Sequence, residues 1–534
     1  MYLQKSRSLK DLFYKKKIDI IYFFFLLTFS ILINQYYGYI GVFPIDTFYH
    51  YDPGYRVLNG YFPTKDYWIH SGFLIDLIQA VFFKIFGVSW FSYVFHASIF
   101  NFIIVIATFF TLRKFKLNNH FSFFYSLLVG FIAYPISGTP FVDLHSMILS
   151  LLALFSFILS LKTRANIYWF FTPIFLCSAF LCKQTPAAYV GIIISIFSLI
   201  YFINYFNTKN FISFILGVLT FILLFYIFCL INKISLYSLY NQLILYPFTI
   251  GEARFANFLF PLEFNRIILR YKLIHLSQFI LIFIIIKKIF KNFNYFTSIE
   301  FIILSSIVIS SFSLILHQLL TLNQKFIFFV IPILLGFSHI YYQKNFTRNN
   351  IIIYILIFLG LGSTFYYKFN YIDNRKFMEL EKVDLNKFID GSKLSGNLKN
   401  LKWITPIFPD NPNKEIKLLR DTIDVIKNDK RKIMLITHYQ FIASILDDYV
   451  YSPNRTHVPG LSFPSLNSKI FDLYKSFFLN QITSNNIEVI YVIKPHENFS
   501  VDKNFYLDLL EKNCPQTKNV NEILHIYLIT NCKT

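Results

Sequence analysis

The sequence predicts an α-helical polytopic membrane protein with about eleven transmembrane helices, followed by a C-terminal soluble α/β domain. Three observations predict it. The chain is 55% hydrophobic and 20% aromatic, with only 15% charged residues over 534 positions, and its mean hydropathy is +0.50. That is too apolar for a soluble domain. Apolar runs of membrane-spanning length, about 17 to 25 residues, recur up to residue 367. Charge then returns abruptly, with 19 acidic and 22 basic side chains after residue 370.

Taken in order, the spans fall at roughly 18-40, 88-112, 121-137, 141-161, 168-183, 186-206, 211-232, 272-290, 299-320, 325-343 and 350-367. The first follows the basic tail MYLQKSRSLKDLFYKKK. Its long apolar run lacks a small-residue cleavage site, so it reads as an uncleaved anchor. Basic residues recur in alternate loops: RKFK at 113-116, Lys162 with Arg164, Lys209, then Lys287, Lys288 and Lys291, then Lys344 with Arg348. With eleven spans these all lie on one side, which places the N-terminus in the cytoplasm and the C-terminus outside. The C-terminal unit is then expected on the outer face of the membrane. The net charge of +21 is therefore mainly a topology signal. Its cations are dispersed over short loops, which argues against a nucleic-acid partner.

Residues 1-370 thus form the membrane domain and 371-534 a second unit. In the second, apolar runs at 401-405, 432-437, 488-493 and 522-530 read as strands, and 413-428, 467-481 and 503-512 read as helices. That alternation predicts an α/β layer. No Gly-rich phosphate loop follows any of these strands, so no nucleotide site is assigned. Cys514 and Cys532 either bridge in an oxidising compartment or remain thiols, and no Cys/His spacing resembles a zinc site.

Candidate chemistry concentrates in the loop 41-87. Only ten of the 29 acidic residues precede residue 370, and Asp46, Asp52 and Asp66 fall together in DTFYHYDPGYRVLNGYFPTKDYWIHSG. Asp46 directly follows the span, where apolar surroundings raise a carboxyl pKa and favour a general base. Asp52 precedes Pro53 and reads as a helix cap, with Gly60 placed to end that helix. Asp66, in PTKDYW, is either a turn residue or a second acid. His50 and His70 are either ligands or hydrogen-bonded in place. Asp143 and His145, in SGTPFVDLHSM, enter the fourth span from outside, and such acids usually face a cavity. This pair is a candidate for contacting a substrate, or for binding a divalent metal with Asp46. The alternative is a cap with polar packing. His317 and Gln318 are similar cases.

The stretch from Asp46 to Gly87, D-(13 residues)-G-YFP-TKDYW-IHSGFLIDLIQAVFFKIFG, resembles the first periplasmic loop of the GT-C superfamily of membrane glycosyltransferases. The similar branches are the protein mannosyltransferase, lipid A aminoarabinose transferase and RgtA/B/C/D-like members. The resemblance departs at one point: the usual acidic pair is here Asp46 followed by Thr47, which puts a metal role for the pair in doubt. It implies a GT-C-like fold and an inverting hexosyl or pentosyl transferase. Such an enzyme moves a sugar from a polyprenyl-phosphate carrier to a glycan, lipid or protein hydroxyl on the periplasmic face. That chemistry needs a base, with Asp46 as first candidate and Asp66 and Asp143 behind it, and a group that holds the leaving phosphate. Candidates for the second are Lys183 beside Gln184 in CKQTPA, Arg254 in YPFTIGEARF, Arg266, Arg270, and Lys325 in LTLNQKF. His50, His70 and His145 join them as substrate-binding candidates, and membrane-facing cations also snorkel to lipid headgroups. The competing class is a transporter or flippase of lipid-linked glycans. Transporters usually carry internal repeats or broken spans around midplane charges, and no repeat is evident here.

Overall fold

A computed structural model describes the chain apart from residues 1, 258–262, 322–325, 347–349, 447–449, 495–508, 511–515 and 529–534. The side chains of residues 2–17, 255–257 and 516–517 also fall outside the description. The membrane part runs α1 (Tyr2–Gly38), α2 (Pro44–Thr47), α3 (Tyr51–Leu58), α4 (Leu74–Phe86), α5 (Trp90–Lys114), α6 (Asn119–Ile132), α7 (Val142–Thr163), α8 (Asn166–Cys182) and α9 (Gln184–Asn204). It continues with α10 (Thr208–Ile231), α11 (Leu236–Tyr240), α12 (Tyr246–Asn257), α13 (Lys272–Lys291), α14 (Ile299–Thr321), α15 (Val330–Asn345) and α16 (Asn350–Tyr367). Each of the eleven expected spans coincides with a helix. Eight are long and apolar enough to cross a membrane, and α6 and α8 are shorter apolar helices. The chain is a multi-pass membrane protein. The expected span at 325-343 begins late, at Val330, because residues 326–329 form turns.

The helices differ in how they meet their surroundings. The most apolar window of α7 is 100% buried, whereas that of α10 is 11% buried, so α7 is the central post and α10 presents its side chains outward. The first turn of α5 is capped by Ser89 Oγ, which accepts from the Ser92 amide, and that of α10 by Asn207, which accepts from Asn210. Both caps satisfy amides that a helix start leaves unpaired.

Two glycines allow close backbone crossings that set the site. Gly138 has φ +74, and a Cβ there would lie 2.5 Å from Gly38 Cα. The end of α1 can therefore cross the segment that leads into α7. A Cβ on Gly72 would fall 1.9 Å from the carbonyl oxygen of Leu181. The loop between α3 and α4 thus lies directly on the last turn of α8.

After α16 the chain turns back onto this end of the bundle. The buried Arg375 guanidinium donates to the carbonyls of Ile40 (2.9 Å), Pro135 (3.1 Å) and Ser137 (3.2 Å), tying together the two segments that cross at Gly138. Strands β1 (Ile389–Asp390) and β2 (Lys402–Trp403) pair antiparallel. The expected strand 401-405 is shortened to β2, whose neighbourhood pairs instead with the start of the first loop. Gly41 donates to the Lys402 carbonyl, Val42 to Ile404, and Lys402 to Tyr39.

The rest is an α/β layer of α17 (Pro412–Lys427), β3 (Ile433–Thr437), α18 (Ile442–Ile445), α19 (Phe471–Ser484), β4 (Val489–Ile493), β5 (Gln516–Asn519) and β6 (Leu524–Leu528). Sheet order is β3-β4-β6-β5, with β3 and β4 parallel and the other pairs antiparallel. Strand β4 is buried throughout, which is why it reads as an unbroken apolar run. The expected helix 503-512 lies almost wholly outside the described residues, as do Cys514 and Cys532.

Candidate active site

Asp46 is presented by α2, a single turn that starts with Phe43 in extended conformation and Pro44 at its first position, where a missing N–H costs nothing. Thr47 Oγ1 closes the turn by accepting from the Phe43 amide at 2.8 Å, and it also contacts Met378 Sδ at 3.0 Å. The position where the resembling loops carry a second acid is therefore used here for packing and turn closure.

Opposite Asp46, the first turn of α7 carries Asp143, and the break between α8 and α9 carries Lys183 and Gln184. Lys183 Nζ lies 2.7 Å from Asp143 Oδ2, and His317 Nε2 on α14 lies 2.7 Å from Asp143 Oδ1. The Lys183 backbone is held as well, since Ser146 Oγ donates to its carbonyl at 3.0 Å. Gln184 Nε2 donates to the Leu243 carbonyl at 2.9 Å, joining α9 to the segment before α12. Arg254 extends from α12 and has no ion-pair partner among the described residues.

These groups line one cavity of about 690 Å³, with Asp46, His70, Asp143, Lys183, Gln184, Arg254 and His317 in its wall. Its volume suits a small polar ligand with part of an apolar one. Tyr49 and Phe248 add aromatic wall, and Leu461 of the C-terminal region contributes to it. Tyr246 OH donates to the Leu461 carbonyl at 3.0 Å, so the C-terminal region is fastened over one side of the cavity.

The remaining described candidates do not line the cavity. Asp66 Oδ2 accepts from the Phe62 amide at 2.7 Å and does not line the cavity; this closes the turn that the sequence left as one of two readings. His50 is fully buried and pairs through Nδ1 with Asp76 Oδ1 at 2.5 Å. Burial outweighs that carboxylate and lowers His50 to about 4, so a neutral ring donates to Asp76. His145 bonds Tyr134 OH through Nδ1 and His96 Nε2 at 2.9 Å through Nε2, and it is not among the residues that line the cavity with Asp143. Asp143 and His145 therefore do not converge on a shared metal. Among the described residues no group of three His, Cys, Asp or Glu side chains could hold one. Gln318 accepts from the Phe326 amide at 3.3 Å, Arg266 pairs with Glu263 at 3.3 Å, and Arg270 is exposed. Lys325 lies outside the described residues.

Asp52 corrects the sequence reading. It sits inside the first turn of α3, whose cap position is His50. Its carboxylate accepts instead from the Ala443 amide at 3.3 Å, and its own amide donates to the Gln440 carbonyl at 2.8 Å. Burial at this seam raises its pKa to about 7, against the pull of Arg56.

Sequence reasoning missed the group that joins the loop to the C-terminal region. Asp76, in the first turn of α4, accepts from Arg455 Nη2 at 2.7 Å, Tyr67 OH at 3.1 Å and His50. Both ends of the Asp76–Arg455 pair are 0% exposed. Burial raises the Asp76 pKa, but Arg455 and His50 more than offset this and leave it lowered. Arg455 Nη1 also donates to Ser71 Oγ at 2.8 Å and the Gly72 carbonyl at 3.1 Å. The available signal was a lone carboxylate in the apolar run LIDLIQAVFF. Its partner stands in the turn-like SPNRTHVPG, 379 residues away.

Neither a protein-family profile nor a curated protein sequence matches this chain. Among solved structures, the chain is similar to the crystal structure of ArnT from Cupriavidus metallidurans bound to undecaprenyl phosphate. The likeness has a TM-score of 0.46 and 10% identity, and covers 95% of this chain and 97% of that one.

Proposed function

We propose that this protein is a GT-C-like inverting glycosyltransferase. It would move a hexosyl or pentosyl unit from a polyprenyl-phosphate carrier to an acceptor hydroxyl at the outer face of a bacterial inner membrane. The observation that carries the reading is one cavity at one end of the bundle. It holds a carboxylate on the motif-bearing loop, Asp46, together with the cations Lys183 and Arg254 and the neutral donors His70 and Gln184.

In this reading Asp46 accepts the proton of the acceptor hydroxyl. The new C–O bond forms at the anomeric carbon as the bond from that carbon to the phosphate oxygen breaks, which inverts the centre. The leaving polyprenyl phosphate keeps the bond's electron pair, and Lys183 and Arg254 stabilise its growing charge. Asp143 orients Lys183, and the aromatic wall receives the apolar faces of the sugar. The C-terminal region, through Leu461 and its neighbours, forms the acceptor side.

Purified protein in proteoliposomes, supplied with a panel of polyprenyl-phosphate sugars, should release free polyprenyl phosphate. Movement of intact carrier across the bilayer without release would favour the flippase class instead. The orientation is tested by cysteine labelling: a residue introduced near 210 should be inaccessible from outside, and one near 60 accessible.

A further inference from the structure

We propose that Arg455 is a positioning residue for the transfer, fixing His70 as a hydrogen-bond donor into the cavity through Ser71 and Tyr49. The proposal rests on the glycosyltransfer reading above and names how one part of its phosphate site is set.

A guanidinium only donates and stays charged. Asp76 takes Nη2 at 2.7 Å, which fixes the plane of the group, and Nη1 then gives its hydrogen to Ser71 Oγ at 2.8 Å. The Ser71 hydroxyl keeps its own hydrogen free for Tyr49 Oη, 3.3 Å away, and in the relay it donates there. Tyr49 Oη lies 3.1 Å from His70 Nε2, and in the relay its hydrogen goes to that nitrogen. The Arg455 guanidinium also lies over the Tyr49 ring, 5.2 Å from its centre, so the phenol is held in place as well as polarised.

An imidazole that accepts at Nε2 carries its proton on Nδ1. That atom is buried and has no hydrogen-bond partner among the described residues, while His70 lines the cavity. An unpaired buried N–H is costly, and an oxygen of the bound ligand would satisfy it. Burial, then Arg455, Lys183 and Arg254, keep the His70 pKa well below its usual value, so the ring donates as a neutral group. Lys183 and Arg254 share the cavity, which makes a phosphate oxygen of the carrier the fitting acceptor.

The test uses the full-length protein in lipid nanodiscs with ring-¹⁵N histidine, the His70 signals being assigned by their loss in His70→Gln. Wild type should show His70 protonated at Nδ1 near neutral pH, and Tyr49→Phe should abolish that preference while the melting temperature stays unchanged. Arg455→Lys, which keeps a donor and the charge, should retain it in part. In turnover of a polyprenyl-phosphate sugar, Tyr49→Phe should lower kcat/KM on the order of tenfold. Adding it to His70→Gln should cause no further loss. A wild-type His70 protonated at Nε2, or one unaffected by Tyr49→Phe, overturns the proposal. Absence of sugar release from a wild type with the expected tautomer overturns the glycosyltransfer reading alone and leaves the relay from Arg455 to His70 standing.

Discussion

Asp143 grips Lys183 at 2.7 Å across the gap between the start of α7 and the α8–α9 break, and His317 occupies its other oxygen at the same distance. A carboxylate engaged on both oxygens is poorly placed to take a proton from a substrate. It is well placed to aim a cation. Asp143→Asn should therefore weaken binding of polyprenyl phosphate and lower turnover together, as should Arg254→Gln, because the phosphate is present in ground and transition states alike. Calorimetric binding beside turnover checks this, and normal values in both variants would move the phosphate site elsewhere.

Asp46 has the complementary expectation. Asp46→Asn should cost roughly 10² to 10⁴ in turnover with near-normal carrier affinity. An active variant at matched expression would remove Asp46 as the base.

The crossing at Gly72 makes a steric prediction. A methyl there would lie 1.9 Å from a backbone oxygen that cannot rotate away. Gly72→Ala should push the loop off α8, lower the melting temperature, and reduce turnover at least tenfold by separating Asp46 from Lys183. A variant with unchanged melting temperature and turnover would show that the two segments separate freely.

Asp52 predicts a pH effect of defined sign. Its folded pKa of about 7 lies above the ordinary 3.8, so the folded state binds more protons than the unfolded one between these values. Stability from this group is greatest at low pH and falls as pH rises through that window. Asp52→Asn keeps the acceptor for Ala443 and removes the titration. It should flatten this part of the stability-pH curve and leave turnover nearly unchanged.

Removing the residues after 372 should be destructive. The truncation strips Arg455 from the fully buried Asp76 and Arg375 from three carbonyls, and an uncompensated buried charge is strongly destabilising. The truncated protein should fail to give a monodisperse peak in detergent. The paired change Asp76→Asn with Arg455→Met should be milder than Arg455→Met alone.

Helices were the legible part of this sequence, because lipid-facing and bundle-facing surfaces are both apolar and each span shows as a continuous run. The residues of the cavity wall were legible only one at a time: Asp46, Asp143, Lys183 and Gln184 as polar groups at span ends, His70 and Arg254 as polar groups in outer loops. What could not be read was which of their neighbours would compete for them. His50 and His145 were indistinguishable in sequence from His70, and only packing shows two of the three engaged by Asp76 and by His96. The Asp76–Arg455 pair was illegible for a simpler reason: its partners lie 379 positions apart, and neither stands in a motif.

That separation also orders the protein's biosynthesis. The chain around residues 39–42 needs β2 as its neighbour, and Asp76 needs Arg455. Contacts between such distant segments form late, because the intervening chain must first be threaded and closed. The loop bearing Asp46 is made almost first and finished almost last. A nascent or prematurely terminated chain would thus have most of its spans inserted while the cavity around Asp46 was still unassembled, and synthesis of the C-terminal region would complete it.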